Sequence, residues 1–483
     1  MHDAKAQSGS SKARDALREA VESIVGARGC LHKAEDLANY EYDGSIDKGR
    51  PDLVAFPEST AQVAALAKLA SERGVPVTGR GAGTGLSGGA IAREGGLMIS
   101  FARMNRIVEI DVANERAIVQ PGVVNLDLSA AVEADGYFYA PDPSSQRACT
   151  IGGNISENSG GPHTLAYGVT TNHVLGLEAV LADGAVVNTG PPDAPGYDLT
   201  GLLVGSEGTM ALVTQATVRL MRRPESVKTL LAIFDSAEDA GNTVSEITAR
   251  GITPAAMEML DGVLLRMVEE ATHAGYPLDA AAVLLIELEG LREAVEEQAE
   301  EIREACAACR ARECRVARDA EERELLWKGR KNAFGAVGRC APSYYTQDGV
   351  APRSQIAATL KFIYGVSERY GLTISNIFHA GDGNLHPLIL FDPGAPGQLE
   401  KVREASDEIL KHCISVGGSI TGEHGVGMEK NEMMAHQFRP DTLEMIARLK
   451  HLFDPECKLN PGKVLPTGRG CREIRQKRGD LSL

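Results

Sequence analysis

Residues 79–89, GRGAGTGLSGG, hold six glycines in eleven positions. Each glycine forfeits side-chain packing and costs conformational entropy, so this run cannot form the interior of a helix or a strand. Its backbone can curl with N–H groups pointing inward and bind an anion such as a pyrophosphate. Thr84 and Ser87 add hydroxyl donors and Arg80 adds a charge. The tract therefore predicts a diphosphate-binding loop between strands.

Two other interpretations of this tract fit its surroundings less well. Gly83, Gly85 and Gly88 match the G-x-G-x-x-G dinucleotide fingerprint, but the Rossmann form of that motif must open a long helix. Here AIAREGG follows, which breaks within seven residues and leads to a strand, so the Rossmann interpretation fails. A flexible linker is disfavoured because apolar strands follow the tract directly.

A second tract, residues 141–161 (PDPSSQRACTIGGNISENSGG), repeats this chemistry. Its hydroxyl and amide side chains can wrap a large polar ligand, and Pro141 and Pro143 stiffen the entrance. A long surface loop is the alternative, but loops of this length inside compact domains are usually functional.

Charge and length narrow the class of protein. The 483 residues carry 50 basic and 66 acidic side chains, a net charge of −16, and 43% are hydrophobic. Such a chain is too long for one core, and the acidic balance disfavours nucleic acid and anionic lipid as partners. No apolar run suffices for a bilayer span and no apolar region follows the start, so neither a membrane helix nor a secretory signal is expected. The nine cysteines are odd in number and scattered in spacing, so they do not form a disulfide framework. The reducing cytoplasm is therefore the expected location.

Histidines and one carboxylate form a candidate metal site. NIFHAGDGNLHPLILF predicts two strands joined by a turn, which would bring His379 and His386 together. GGSITGEHGVGMEK places Glu423 and His424 in a glycine-flanked loop. Two imidazoles and a carboxylate match a divalent metal site with open positions for a ligand. Any one of these histidines is more often structural, so on the residues alone both interpretations stay open.

The motifs together resemble a known family. GRGAGTGLSGG, PDPSS, IGGNISENSGG, GLEAVLADG and GSEGTMALVT are similar to the FAD-binding domain of the vanillyl-alcohol-oxidase-type flavoproteins. The resemblance, over residues 50–466, is closer to the FAD-linked 2-hydroxyacid dehydrogenases: glycolate oxidase catalytic subunits, D-lactate dehydrogenases and D-2-hydroxyglutarate dehydrogenases. It implies an α+β fold with a two-subdomain FAD-binding domain and an α+β substrate (cap) domain.

We expect five segments. These are a helical lead-in (1–50), the FAD-binding domain (51–222), the cap domain with the metal site (223–430), a C-terminal segment packing back on the FAD domain (431–466) and a flexible tail (467–483). Within the cap domain, the charged stretch 291–326 predicts one solvated helix.

The resemblance also implies residue roles. The residues expected at the FAD are Arg80, Gly81, Ala82, Gly83, Thr84, Gly85, Leu86, Ser87, Pro141, Thr150, Gly153, Ser159 and Asn460. His163 sits where some relatives in the wider superfamily carry a covalent flavin link, but non-covalent FAD is expected here. Lys463 shares the C-terminal motif KLNPGKVLP with Asn460.

For catalysis, the resemblance implies His379, His386 and Glu423 as ligands of a divalent metal ion, expected to be Zn²⁺, with His424 as base. Arg330 is the first catalytic candidate for the substrate carboxylate and Arg353 the second. A 2-hydroxy acid can chelate a metal, which lowers the hydroxyl pKa so that an imidazole can take the proton while hydride passes to the flavin.

The expected function is FAD-dependent oxidation of glycolate or D-lactate to the 2-oxo acid. Ala333, Phe334 and Gly335 follow the arginine, which disfavours a dicarboxylate. The alternatives are a D-2-hydroxyglutarate-type dehydrogenase, a metal-free flavoenzyme acting on a bulky alcohol, and a non-catalytic flavin-binding subunit of an electron-transfer complex. The intact histidine set argues against the last of these.

The sequence does not identify the electron acceptor. A companion iron–sulfur subunit, a quinone, an electron-transfer protein and oxygen all stay open, as do a homo-oligomer and a heteromeric complex. We expect a cytoplasmic protein, peripheral to the inner membrane if a partner holds it there. Cys306, Cys309 and Cys314 resemble half of a cluster-binding set but lack its spacing, so no cluster is expected.

Overall fold

The computed structural model describes residues 2–191 and 195–467. The first subdomain contains α1 (His2–Val25), β1 (Cys30–Leu31), α2 (Ala34–Leu37), β2 (Leu53–Ala55), α3 (Thr60–Glu72), β3 (Val77–Arg80) and β4 (Leu97–Ser100). Its sheet has the order β1-β2-β4-β3, with β4 parallel to both β2 and β3. The glycine loop, residues 81–89, leaves the carboxyl end of β3. Ligands of α/β folds commonly bind at this edge of a parallel sheet.

The second subdomain is built on an antiparallel sheet. Its elements are β5 (Ile107–Asp111), β6 (Arg116–Val119), α4 (Asn125–Val132), β7 (Tyr137–Phe138), α5 (Ile151–Glu157), α6 (Thr164–Tyr167), β8 (Val174–Val180), β9 (Val186–Asn188), α7 (Leu199–Leu203), β10 (Leu212–Arg219) and β11 (Met221–Arg222). The main sheet has the order β5-β6-β10-β8-β9, and β11 pairs with β7. The predicted hairpin around Asp183-Gly184 is β8–β9.

The cap domain follows. Its elements are β12 (Ser226–Phe234), α8 (Ala237–Ala249), β13 (Ala256–Asp261), α9 (Gly262–Thr272), β14 (Ala282–Gly290), α10 (Arg292–Ala308), β15 (Glu313–Val316), α11 (Ala320–Lys331), α12 (Ala333–Val337), β16 (Ser343–Thr346), β17 (Gly349–Val350), α13 (Ile356–Tyr370), β18 (Ile374–His379), β19 (Asn384–Phe391) and α14 (Gln398–Ser415). The sheet order is β15-β12-β14-β13-β18-β19-β16, and β17 also pairs with β19.

Helices cover both faces of the cap sheet. Along β12, Leu230, Ala232 and Phe234 enter one core with helices α8, α10, α13 and α14. Leu231 and Ile233 enter a second core with α9, α11 and α12. Because successive side chains of a strand point to opposite faces, burial on both faces requires continuously apolar strands.

The single helix expected over 291–326 is wrong. Helix α10 ends at Ala308, Arg310 adopts a left-handed φ of 63°, and β15 then pairs antiparallel with β12. The free edge of β12 accepts this strand, so sheet pairing overrides the helical character of the charged sequence.

The chain ends with α15 (Met434–Gln437) and α16 (Pro440–Phe453). After them, the backbone of residues 459–460 contacts β3: the Asn460 N–H donates to the Val77 carbonyl at 2.7 Å. The predicted tail lies outside the described residues, except for Thr467. Among the described residues, no helix has the length and apolar character that a membrane crossing requires.

Candidate active site

A cavity of about 370 Å³ connects the glycine loop to the predicted metal site. One end is lined by the loop, the 143–145 segment and the start of α5. The other end is lined by the four residues that we call the histidine cluster. These are His379, His386, Glu423 and His424. Both glycine tracts and the cluster therefore face one space, although they lie up to 345 residues apart in the chain.

The glycine loop forms an open cradle. Gly83 and Gly88 have φ of +73° and +78°, which glycine adopts without strain. A Cβ on Gly85 would meet no atom within 4 Å. The Arg80 side chain folds under the loop, where it donates to the Ala90 carbonyl at 3.4 Å and lies 5.6 Å from the centre of the Tyr40 ring.

Most of the predicted cofactor residues line this cavity. They are Arg80, Gly81, Ala82, Gly83, Thr84, Gly85, Leu86, Thr150, Gly153 and Ser159. The other three do not line the cavity, but each forms hydrogen bonds that hold neighbouring chain segments together. The Ser87 carbonyl accepts the N–H groups of Met428 and Glu429, the Pro141 carbonyl accepts Asn125 Nδ2, and Asn460 Nδ2 donates to the Gly89 carbonyl.

The walls fit a dinucleotide such as FAD. Thr150 caps the amino end of α5, where its hydroxyl accepts the Gly153 N–H at 3.3 Å. Thr150 and Gly153 both line the cavity, so this end of the helix opens on it. Asn154, also in the wall, is buried, and its Nδ2 has no hydrogen-bond partner among the described residues. The backbone N–H groups of the glycine loop and the unpartnered Asn154 Nδ2 are donors, and together they suit a ligand with many acceptor atoms.

The hairpin β18–β19 brings the two predicted histidine ligands together. Ile377 pairs with His386 in register, and the rings of His379 and His386 lie 5.1 Å apart, nearly perpendicular. His379 Nε2 is 3.1 Å and His386 Nε2 is 3.2 Å from Glu423 Oε1. The sequence-based expectation of a hairpin is confirmed.

The donor chemistry of this trio fits a metal ion. His379 Nδ1 faces Glu258 Oε1 at 2.8 Å and His386 Nδ1 faces the Gln347 carbonyl at 3.0 Å. Both Nδ1 atoms must therefore donate, which in a neutral imidazole leaves Nε2 as an acceptor. Two lone pairs would then point at a carboxylate oxygen. Only protons or a cation can occupy that space favourably, and outer-shell partners of this kind orient metal-binding histidines.

The charges around the histidine cluster also favour a bound cation. Burial alone would lower the pKa of His379, but Glu258 and Glu423 raise it to about 10. Burial alone would raise the pKa of Glu423, but His379 and His386 hold it well below its usual value. The site thus gathers negative charge, and the raised pKa of His379 is the response to it.

His424 differs from its neighbours. Burial lowers its pKa to about 4 against the opposing effect of Asp348, so the ring is neutral. Its Nδ1 is buried without a partner among the described residues, and its Nε2 lies 3.9 Å from Glu423 Oε1. The ring stacks on His386 with 4.8 Å between centres. A neutral imidazole in the cavity wall can accept a proton from a ligand.

Asp348 holds the loop that carries Glu423 and His424. Its buried carboxylate accepts the N–H groups of Gly422 and His424, both at 2.9 Å. Lys430 lies 3.4 Å from the same carboxylate. Glu207, from the second subdomain, accepts the N–H groups of Val426 at 2.7 Å and Gly427 at 2.6 Å, further along the same loop. Two carboxylates therefore fix this loop from opposite sides.

Arg330 reaches the cavity from α11. It is 1% exposed and pairs with the fully buried Glu258, which accepts Arg330 Nε at 2.6 Å. Burial alone would raise the pKa of Glu258, but Arg330 and His379 hold it below its usual value. One carboxylate thus orients both the arginine and a histidine of the cluster.

Arg353, the second predicted substrate residue, is not in this cavity. Its Nε donates to the Gly381 carbonyl, and its side chain lines a separate depression with Ser245 and Asp382. Lys331, Phe334 and Tyr344 line the cavity in its place. Sequence reasoning missed these three, together with Glu258 and Asp348. Only Lys331 carried a signal, because it is a second cation directly after Arg330.

Family models and curated relatives agree with this geometry. Residues 51–190 match an FAD binding domain and residues 223–464 match the C-terminal domain of FAD linked oxidases. Glycolate oxidase subunit GlcD of Escherichia coli K12 is 46% identical over 462 residues, covering 95% of this chain and 92% of the relative. D-lactate dehydrogenase of Archaeoglobus fulgidus is 35% identical, covering 86% and 91%.

Solved structures share the fold. A p-cresol methylhydroxylase with substrate bound superposes with a TM-score of 0.80 at 18% identity, covering 93% of this chain and 96% of that one. The predicted α+β fold of the vanillyl-alcohol-oxidase type is confirmed.

The fold and its cavity are those of an FAD-binding oxidoreductase. The chain belongs to the FAD-linked oxidase family, with glycolate oxidase subunits and D-lactate dehydrogenases among its relatives.

Proposed function

We propose that this protein oxidises a small 2-hydroxy acid, glycolate or D-lactate, to the 2-oxo acid, with non-covalent FAD and a divalent metal ion. One observation carries the proposal: the glycine loop and the histidine cluster face the same cavity. The curated relatives support the substrate class, since their names are glycolate oxidase subunit and D-lactate dehydrogenase.

The glycine loop and the start of α5 would hold the FAD, which supplies the acceptor for the electrons removed from the substrate. His163 stands outside the cavity wall, with both ring nitrogens facing carboxylates of Asp142 and Glu287. This placement supports a non-covalent cofactor.

His379, His386 and Glu423 would hold the metal ion, Zn²⁺ being the expected one, which supplies a Lewis acid for the hydroxyl oxygen. His424 accepts the hydroxyl proton. Its neutral state suits this role, and Asp348 holds its backbone in place.

The substrate carboxylate would lie against α11. Arg330 offers the guanidinium N–H groups that Glu258 does not bind. Lys331 adds a second positive charge, and its Nζ lies 5.6 Å from the centre of the Trp327 ring. Phe334 and Tyr344 give this part of the wall an apolar surface. A short substrate side chain such as hydrogen or methyl suits it.

Lys331 favours one second candidate, a D-2-hydroxyglutarate-type dehydrogenase, because it could pair with a distal carboxylate. Phe334 and Tyr344 argue against this alternative, because the distal carboxylate of the substrate would have to lie beside their rings.

Electrons must leave the flavin for an acceptor. A companion subunit is supported by the word "subunit" in the name of the Escherichia coli relative. An iron–sulfur partner, a quinone and an electron-transfer protein are all compatible with the cavity. A cytoplasmic location, at the inner membrane if a partner binds there, completes the proposal.

The test is the visible spectrum of the purified protein under nitrogen, before and after addition of glycolate, D-lactate, L-lactate or D-2-hydroxyglutarate. We expect bleaching of the flavin band by glycolate or D-lactate. Bleaching by D-2-hydroxyglutarate alone would support the second candidate. A flavin band that no hydroxy acid bleaches would overturn the proposed substrate class.

A further inference from the structure

A segment of the FAD domain, residues 160–167, lies against the cap domain behind the active site. Leu165 packs on the cap core and contacts Gly381. A Cβ on Gly160 would be 2.9 Å from Glu423 Oε2. At the centre of the segment, the His163 side chain is 17% exposed and outside the cavity wall, so the proposed chemistry does not use it.

Both ring nitrogens of His163 face carboxylates from different domains. Nδ1 is 2.8 Å from Asp142 Oδ2, in the FAD domain, and Nε2 is 3.3 Å from Glu287 Oε1, on cap strand β14. Two carboxylate acceptors require two N–H donors, which only the imidazolium has. Burial alone would lower the pKa of His163, but Asp142 and Glu287 raise it well above its usual value.

Glu287 connects His163 to α11 through hydrogen bonds. It accepts Trp327 Nε1 at 2.6 Å, and Arg323 binds it through Nε at 3.0 Å and Nη2 at 3.1 Å. The Trp327 ring also stacks on His163, with 5.6 Å between centres and 27° between planes. His163 therefore touches α11 directly through Trp327 and indirectly through Glu287.

The two ends of this network adjoin different parts of the cavity wall. Asp142 directly precedes the wall residues 143–145. On α11, Trp327 and Arg330 are three residues apart and so share a helix face, and Lys331 follows. The other charged or titratable groups in the network are Glu289 and Tyr167, whose hydroxyl donates to Glu289.

We propose that His163 is a positioning residue that fixes α11, and with it Arg330 and Lys331, relative to the 143–145 wall. The role in substrate binding rests on the proposed function. The mechanical role does not, because it concerns only the contacts between α11 and the FAD domain.

His163→Gln in the full-length, flavin-loaded protein tests this inference. Loss of one charge-assisted contact should raise KM for the 2-hydroxy acid about tenfold. FAD content and kcat should stay within about twofold. Without substrate, backbone amides of residues 320–331 should exchange with deuterium faster than in wild type, because the helix has lost its tether.

Tyr167→Phe is the matched control. It removes a hydrogen bond between the same segment and β14, at Glu289, but none to α11. Its KM and its exchange in residues 320–331 should match those of wild type. Equal changes in both variants would mean that His163 serves general domain docking, which would overturn the inference.

Unchanged KM and exchange in His163→Gln, or loss of FAD from it, would also overturn the inference. Should that variant fail to fold, Asp142→Asn weakens the same contact from the other side and should give the same two changes; their absence counts against the inference equally. If wild type oxidises no hydroxy acid, the proposed function fails, while the exchange comparison still decides the positioning role.

Discussion

His424 and Lys331 are the two residues whose chemistry can be separated most cleanly from the fold. His424 is partly buried and neutral, and it lines the cavity. Lys331 is an exposed side chain on the last turn of α11 that reaches the same cavity. Neither belongs to the glycine loop, so each can be changed without removing the cofactor cradle.

His424→Asn should retain FAD and lose flavin reduction by substrate. A positioned general base typically contributes 10² to 10⁴ in rate, so the anaerobic reduction rate should fall by about a thousandfold. Stopped-flow absorbance measures it, with exposed His436→Asn as the control. Rapid reduction in His424→Asn would remove this histidine from the mechanism.

Lys331→Met should raise KM about fivefold with little change in kcat, since a partly exposed ion pair contributes about 1 kcal/mol. Lys328→Met is the matched control, because Lys328 is exposed on the same helix and outside the cavity wall. Steady-state kinetics of the two variants decide the matter. An equal effect in both would exclude a specific contact between Lys331 and the substrate.

At this scale, the sequence predicted the groups that have a local pattern. His379 and His386 flank the turn that contains Gly381 and Gly383, His424 precedes Gly425, and all three line the cavity. Glu258 and Asp348 were missed because their partners are distant: Arg330 is 72 residues from Glu258, and His424 is 76 residues from Asp348. Nothing near either carboxylate in the chain reveals such a partner.

Among the elements, the glycine loop and the 421–427 loop determine the two ends of the cavity. The first is held by strand pairing of β3 and β4 and the second by the carboxylates of Asp348 and Glu207. The first was predictable because glycine runs exclude regular structure. The second was not, because a carboxylate that binds backbone N–H groups across a domain boundary leaves no periodic signal.

Gly85→Ala should fold normally and bind FAD more weakly. The added methyl meets no protein atom within 4 Å, so it projects into space that the ligand would occupy. Gly335→Ala, also unobstructed but outside the cavity wall, is the control. Thermal unfolding of the flavin-free proteins and FAD titration by fluorescence separate the two effects. Wild-type FAD affinity in Gly85→Ala would argue against the cradle.

Glu207→Gln should lower the free energy of unfolding by about 2 to 4 kcal/mol. The amide can replace only one of two charge-assisted acceptors, and each such bond contributes about 1.5 to 3 kcal/mol. Exposed Glu109→Gln should change it by less than about 0.5 kcal/mol. Urea unfolding measures both. Equal stability of the two variants would mean that Glu207 does not hold the 421–427 loop.

For the whole molecule, the site depends on chain segments that meet only in the folded state. Lys463, near the end of the described chain, donates to the carbonyls of Gly89 at 3.2 Å and Ile91 at 2.7 Å, at the end of the glycine loop. The chain length predicted more than one core. It could not predict how the cap domain docks, because docking depends on specific pairs such as His163 with Glu287.

The charged stretch 291–326 illustrates the same limit. Its local propensity favours one helix, yet the edge of β12 accepts residues 313–316 as a strand. Pairing partners 80 to 86 residues away in the chain decide the conformation, and a single sequence does not reveal them.

The proposed mechanism places FAD and a metal ion held by His379, His386 and Glu423 in one cavity. The measurement that tests it most directly is anaerobic flavin bleaching by the preferred hydroxy acid, before and after chelation and after addition of Zn²⁺. We expect chelation to abolish bleaching while the oxidised flavin band persists, Zn²⁺ to restore it, and Glu423→Gln to behave like the chelated protein. Full-rate bleaching by protein that elemental analysis finds metal-free would contradict the account.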